Sequence, residues 1–516
     1  MDYEHFCVML TFAVGVLNCQ SLPTFAIALV LCATGFLLYA DGVLKEQLVQ
    51  GDCPLANLRT LARPSHRQGL WCAMLVPVAQ LVQYTACLQR YGLSASVSGV
   101  SCDSNGLLAN LAIMDALCWI VACANCCKSS NTLCKVAFLG HALTVGSVGY
   151  VYSFGALSVL TVTLVTFALQ WSVRESIMGM CPASFSWGEY TLLTQLLCLA
   201  FRATFFHEFH PLLYACACIS MCACVGVALV AVKWNSPSRV VLLSTAASTV
   251  GIAYHFRTCG GFASAQQALA YVLPDVRRLC LTTFWALNCA ATFFYLRLCQ
   301  SWGHPLTTVH RKFFHLTVTL VAVSGFLFDP AFTVIASWAA LNVLCCVEAV
   351  RALKVGQFGR AVDTAYASFL DRQDSGFLIL TPIYLLVAIF LPLWMDIPLK
   401  PKDVRLRHFS GVISVGIGDA LASVFGHKWG RVSLPSTDKT LLGLFANAIG
   451  QMVATALTML ALCTREGFCP RGRTIDYVVR ILAGPWLVAM MEVYTVPVDN
   501  LVLPLCYGLI MGHGRM

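Results

Sequence analysis

Charge is what this chain lacks most. Asp, Glu, Lys and Arg make up 11% of its 516 residues, whereas a soluble domain carries about 25%. So little charge excludes an ordinary cytosolic globule, a disordered chain and a nucleic-acid-binding arm. Acidic residues are the scarcer sign: 24 Asp and Glu stand against 33 Lys and Arg, a net charge of +9. Established nucleotide motifs are missing as well. There is no GxxxxGK[ST] loop, no HRD and no DFG, which sets aside both common kinase classes. No internal repeat or low-complexity tract is present, and no gap between apolar runs is wide enough for a soluble domain. The start, Met1-Asp2-Tyr3-Glu4-His5, lacks the positive n-region of a cleaved signal, so the first apolar run is expected to stay as a helix.

Apolar residues fill the chain instead, at 58%. The fold class this implies is all-α: a polytopic membrane protein with about 13–16 transmembrane helices, each needing about 20 apolar residues. Candidate segments lie near 6–18, 22–40, 69–88, 106–126, 134–153, 155–172, 190–206, 210–232 and 238–254, then near 280–300, 313–330, 331–350, 377–395, 410–425, 441–463, 475–491 and 498–512. The excess of basic residues fits loops that face anionic headgroups or an anionic ligand. Many of the 27 cysteines sit inside apolar runs, as Cys216, Cys218, Cys222 and Cys224 do. Such cysteines are small apolar side chains, and a disulfide framework belongs to short secreted chains. Cys123, Cys126 and Cys127 lack a second ligand pair at zinc spacing, so membrane packing explains them better.

One polar stretch has a pattern of its own. Val355, Phe358, Val362, Tyr366, Phe369 and Leu370 follow helical spacing between charged residues, with Gly376 placed as a C-cap. This predicts an amphipathic helix in the membrane interface, against the plainer reading of a solvated connector. The basic loops 396–409 and 426–440 share one side only if 410–425 fails to cross fully. Gly416, Gly418 and Asp419 within that segment favour such a partial span, buried in protein or lining a wet cavity.

The first part of the chain, 1–303, is generic and its role is open. Specific polar residues cluster over 304–516, where the chemistry is expected. An ionisable residue inside a membrane segment costs about 2.5–3.5 kcal/mol, so each is a functional hypothesis. Asp419 is the strongest. It follows Gly416 and Gly418 and precedes Gly426, Gly430 and Gly443, with Lys428, Arg431 and Lys439-Thr440 interleaved. Glycines let backbone N–H groups approach phosphate, lysines neutralise it, and a carboxylate beside them holds Mg²⁺. For the glycines alone, close helix packing is the competing reading. His310-Arg311-Lys312-Phe313-Phe314-His315 opens another span. Its basic residues also fit simple membrane anchors, and His315 also fits a buried hydrogen-bonded side chain. Glu492 and Asp499-Asn500 stand between apolar runs, where they complete a metal site or solvate a turn. His207-Glu208-Phe209-His210 is one residue short of HExxH.

These stretches resemble the dolichol kinase family. The resemblance is carried by Arg311 to His315, by Phe369 to Thr381 with Asp374 inside, by Leu391-Pro-Leu-Trp394, by Val415 to Gly426, and by Glu492…Asp499-Asn500 through Pro504. It covers about residues 308–512, and the glycine–aspartate stretch is shared with related polyprenol kinases and CDP-diacylglycerol synthases. It implies a multi-pass enzyme of the endoplasmic reticulum membrane with its nucleotide site on the cytosolic side. Such an enzyme moves the γ-phosphoryl of CTP to dolichol, giving dolichyl phosphate for protein glycosylation. CTP, Mg²⁺, dolichol and the bilayer are the partners implied, with no nucleic acid. Asp419, Glu492 and Asp499 are then the metal ligands. Gly416, Gly418, Gly426, Lys428, Gly430, Lys439, Thr440, Gly443, Arg311 and Lys312 surround CTP, and His315 or Asp374 is the base. Asp438 replaces a lysine of the family pattern and Leu442 a glutamate, which leaves Lys428 or Arg431 to make up the missing charge. A phytol or farnesol kinase and a cytidylyltransferase are the alternative enzymes. A transporter is the alternative outside enzymes.

Overall fold

The computed structural model of the protein describes residues 130–151, 275–302, 308–352, 354, 356–367, 378–395, 401–435, 437–466, 474–494 and 499–511, with isolated positions up to 195. Helices dominate the described residues. They are α1 (Ser130–Val151), α2 (Val276–Ser301), α3 (Thr308–Phe328), α4 (Pro330–Ala352), α5 (Gly356–Ala367), α6 (Thr381–Met395), α7 (Ala420–Trp429), α8 (Leu441–Glu466), α9 (Thr474–Tyr494) and α10 (Asp499–Met511). Extended structure amounts to two-residue strands at Ser96–Val97 and Val100–Ser101 and one bridge between Ser433 and Thr440. The expected all-helical, multi-spanning membrane fold is the fold observed. Five described helical segments are long and apolar enough to cross a membrane: Val276–Cys299, His310–Phe328, Pro330–Ala352, Leu406–Trp429 and Leu441–Thr464. Most segments predicted before residue 275, with His207, His210 and Cys123 to Cys127, lie outside the described residues.

The chain forms two compact units. One contains α1 and α10. In it Phe167 stacks on Trp171 and takes the Phe138 ring edge to face, and the buried His141 stacks on Phe167 at 5.9 Å. The other contains α2–α8 and α9 up to Val493.

In the second unit α2 joins α3 along a polar seam. Arg278 pairs with Asp329 at 2.7 Å, Trp285 Nε1 donates to Ser324 Oγ at 2.9 Å, and the Thr292 and Thr317 hydroxyls meet at 2.5 Å. Arg278, Trp285 and Thr292 are spaced by sevens, as are Ser324 and Thr317. That is the seam of two antiparallel helices at about 3.5 residues per turn. Lipid tails are as apolar as leucine, so polar contacts of this kind do much of the holding between membrane helices. The far side of α2 exposes Leu279, Leu287, Phe293 and Phe294. Asp329 then caps α4 by accepting from Phe332 N at 3.0 Å, and Pro330 supplies the preset first residue.

The predicted amphipathic helix is present as α5. It is tied to the end of α4 by the buried Arg351, which pairs with Glu348 at 2.7 Å and with Asp363 of α5 at 2.9 Å. Glu348 also accepts from Ile379 N at 2.5 Å, which fixes the entrance to α6. Gly376 lies outside the described residues. At the core, the Phe326, Phe390 and Phe409 rings meet edge to face.

Segment 410–425 departs from expectation. It is not broken at its glycines: Leu406–Trp429 is helical throughout and is long and apolar enough to cross a membrane. Its glycines do not end the helix because the backbone widens into π winding over Val412–Asp419 before returning to α7. π segments are rare and frequently mark functional sites.

Candidate active site

The site grows from the π segment. Wide winding places Asp419 at its last position, facing α3. Lys312 and His315 lie one turn apart on α3 and both turn to that carboxylate. Lys312 Nζ donates to Asp419 Oδ2 at 2.5 Å, and His315 Nε2 lies 3.2 Å from the same oxygen. Lys312 Nζ and His315 Nε2 are 3.4 Å apart. The side chains of Lys312 and Asp419 keep 13% of their surface, so this charge cluster is largely removed from solvent. Asp419 Oδ1 looks toward the Ser423 hydroxyl at 3.5 Å, one turn further along α7.

A second charged centre adjoins the first. The loop between α7 and α8 closes as a tight hairpin: Leu434 N donates to Lys439 O and Leu441 N to Val432 O, both at 2.8 Å. It delivers Lys439 to the buried Glu492 of α9, where Nζ donates to Oε1 at 3.1 Å and to the Glu492 backbone carbonyl at 2.7 Å. Asn447 Nδ2 of α8 donates to the other carboxylate oxygen of Glu492. Gln451 Nε2 donates in turn to Asn447 Oδ1 at 2.6 Å. Asn447 joins the two centres: its Nδ2 meets Glu492 and its Oδ1 lies against Gly418, next to Asp419.

The glycines make the approach of these helices possible. A Cβ at Gly416 would strike Thr319 of α3, and one at Gly418 would strike Asn447 and Gln451. Gly426 and Gly443 face each other across α7 and α8, and Thr440 fills the space beside Gly430. The Thr440 hydroxyl also accepts from Gly443 N at 3.2 Å, which caps α8. Gly416, Gly418, Gly426 and Gly443 thus sit at close helix contacts, and Gly430 sits at the end of α7 against Thr440. Lys428 in the last turn of α7 and Arg431 just beyond it are exposed, with Lys428 Nζ 5.9 Å over the Trp429 ring. Arg311 is half-buried beside Lys312. Asp374 lies outside the described residues. Asp499 opens α10 in the other unit, and its side chain is likewise outside them.

Among the described residues no set of three or more His, Cys, Asp or Glu gathers as metal ligands. Asp419 and Glu492 each face a lysine instead. Mg²⁺ needs only one or two carboxylates when phosphates and waters supply the rest. Asp419 Oδ1 with the Ser423 hydroxyl fits that smaller donor set.

This constellation of a lysine, a histidine and an aspartate, on two apolar helices beside a basic loop, falls within the stretch that carried the family resemblance. The chain is similar to dolichol kinases. It is 34% identical to the dolichol kinase of Mus musculus over 213 residues, 40% of this chain and 38% of that protein. It is 34% identical to the dolichol kinase of Homo sapiens over 215 residues, and 31% identical to that of Saccharomyces cerevisiae over 174 residues, 30% of this chain and 32% of that protein. The similarity thus spans about two fifths of the mouse and human dolichol kinases. No protein-family model matches the chain, and no solved structure does.

Ser423, Asn447, Gln451 and Thr319 were not singled out by the sequence reading. For two of them a signal exists: Asn447, Gln451 and Thr455 are polar at every fourth position of an otherwise apolar helix, a buried polar stripe.

Proposed function

We propose that the protein is a dolichol kinase that transfers the γ-phosphoryl group of CTP to the hydroxyl of dolichol, releasing CDP and dolichyl phosphate. The observation that carries this is the Lys312–His315–Asp419 cluster in a stretch similar to dolichol kinases. Phosphoryl transfer is chiefly positioning and charge neutralisation, and lysines around a carboxylate supply both. Lys312 and Lys439 offset phosphate charge, helped by the exposed Lys428 and Arg431 that stand where Asp438 does not. The backbone of loop 430–440 borders the phosphates. When the dolichol oxygen bonds to phosphorus, its proton passes to the His315–Asp419 pair, whose 3.2 Å separation lets either member share it. The bond between the γ-phosphorus and its bridging oxygen breaks, and CDP leaves with that electron pair. Mg²⁺, held by Asp419 and Ser423, supplies neutralisation of the phosphate oxygens when bound. The product is the lipid carrier of protein glycosylation, and the setting is the endoplasmic reticulum membrane with the nucleotide on the cytosolic side.

The test is purified protein with dolichol, Mg²⁺ and CTP labelled at either the γ- or the α-phosphate. Label in the lipid from γ-labelled CTP alone is the expected result. Label from α-labelled CTP makes the protein a cytidylyltransferase. Phytol and farnesol as acceptors measure the chain-length preference. Asp419→Ala is expected to lower turnover by about 10²–10⁴-fold at unchanged expression, and normal turnover in that variant defeats the assignment.

A further inference from the structure

We propose that Asn447 is a positioning residue: through Glu492 it holds the Lys439 ammonium at the place where the nucleotide phosphates arrive. The proposal rests on the CTP reading above. Asn447 is buried in an apolar helix, where an amide is costly unless both of its ends are paired. Both are. Its Nδ2 donates to Glu492 and its Oδ1 accepts from Gln451 Nε2 at 2.6 Å. The Gln451 contact fixes which way the amide faces, so a donor always points at Glu492. Glu492 then spends its other oxygen and its own backbone carbonyl on Lys439. A lysine on a loop gains a defined position this way, although its side chain keeps 32% of its surface.

Asn447 also borders the first centre. The missing side chain of Gly418 is the space into which its amide oxygen fits, and Asp419 is the next residue. One amide therefore touches the backbone that carries Asp419 and the carboxylate that anchors the Lys439 ammonium. This sets the separation between the cation that meets the phosphates and the carboxylate that works on them.

The test compares Asn447→Asp, Asn447→Leu and the exchanged pair Asn447→Asp/Glu492→Gln in the full-length protein. The exchanged pair keeps one amide facing one carboxylate and the same net charge. Two readouts are used: the KM for CTP against kcat, and the rate at which an amine-reactive reagent acylates Lys439, followed by mass spectrometry. Both single variants are expected to raise KM by about tenfold with kcat within about threefold, the scale of one hydrogen bond to a charged group. Lys439 acylation is expected to rise severalfold in the same variants, and the exchanged pair, which leaves Lys439 an amide oxygen and the residue 492 carbonyl, to recover part of both values. An unchanged KM and acylation rate in the single variants overturns the proposal, as does a loss of which the exchanged pair recovers nothing. If wild-type protein transfers no phosphate from CTP, the kinase reading falls, and the acylation rates alone still decide whether Asn447 places Lys439.

Discussion

Lys312 shows how one residue serves two ends. Its ammonium makes a buried carboxylate tolerable, and under the proposed function the same ammonium offsets phosphate charge. Removing one partner of a buried pair costs about 3–5 kcal/mol, because the other charge stays behind. Lys312→Met is therefore expected to lower both thermal stability in detergent and phosphoryl transfer. Lys312→Met/Asp419→Asn removes both charges, so melting should return toward wild type while transfer stays absent. If the double variant melts as low as the single one, the pair is not what stabilises this region. Lys312→Arg is not a mild change either, since a planar fork does not reach the shared oxygen as a compact ammonium does.

Among the elements, α8 is built inside out. Leu442, Phe445, Ile449, Val453, Leu457 and Leu460 are exposed, while Asn447, Gln451 and Thr455 are buried. A lipid-facing helix reverses the soluble arrangement because hydrocarbon is its solvent. α8 meets α7 where Gly443 faces Gly426. Gly443→Leu forces these helices apart and is expected to cost about 1–3 kcal/mol, as overpacking generally does, with weakened transfer read at a temperature well below melting. A variant that packs and works normally would show that close contact is not needed there. The same logic with charge applies at α4 and α5. Arg351→Met leaves Glu348 buried against Ile379 N with no cation, and a loss of about 3–5 kcal/mol is expected in thermal unfolding.

Among the described residues, cysteine serves as a small apolar side chain. The described Cys72, Cys134, Cys280, Cys289, Cys299, Cys345, Cys346, Cys463 and Cys506 form no disulfide. Cys506 is fully buried, away from solvent and from dissolved thiols that would exchange with it. Reducing agent is therefore expected to leave both melting and transfer unchanged in the purified protein. A drop in stability of about 2–4 kcal/mol on reduction would reveal a structural disulfide. Two compact units divide the chain, and the whole of the described charge cluster lies in the one that spans α2 to Val493.

By itself the sequence determined what depends on composition and local pattern. Apolar runs near 280–300, 313–330, 331–350 and 441–463 became α2, α3, α4 and α8, because twenty apolar residues can satisfy their backbone only as a helix. It also marked Asp419, Lys312 and His315, since charge inside apolar sequence is costly enough to stand out. The tertiary structure alone decided how these residues combine. Lys312 and Asp419 are 107 positions apart, and Lys439 and Glu492 are 53 apart, so their pairing follows from helix packing that no local pattern encodes. It decided as well that segment 406–429 continues through its glycines as π winding, and that those glycines admit Thr319, Asn447 and Thr440. A missing side chain is equally readable as room for phosphate or room for a neighbouring helix, and only the packed neighbour tells which.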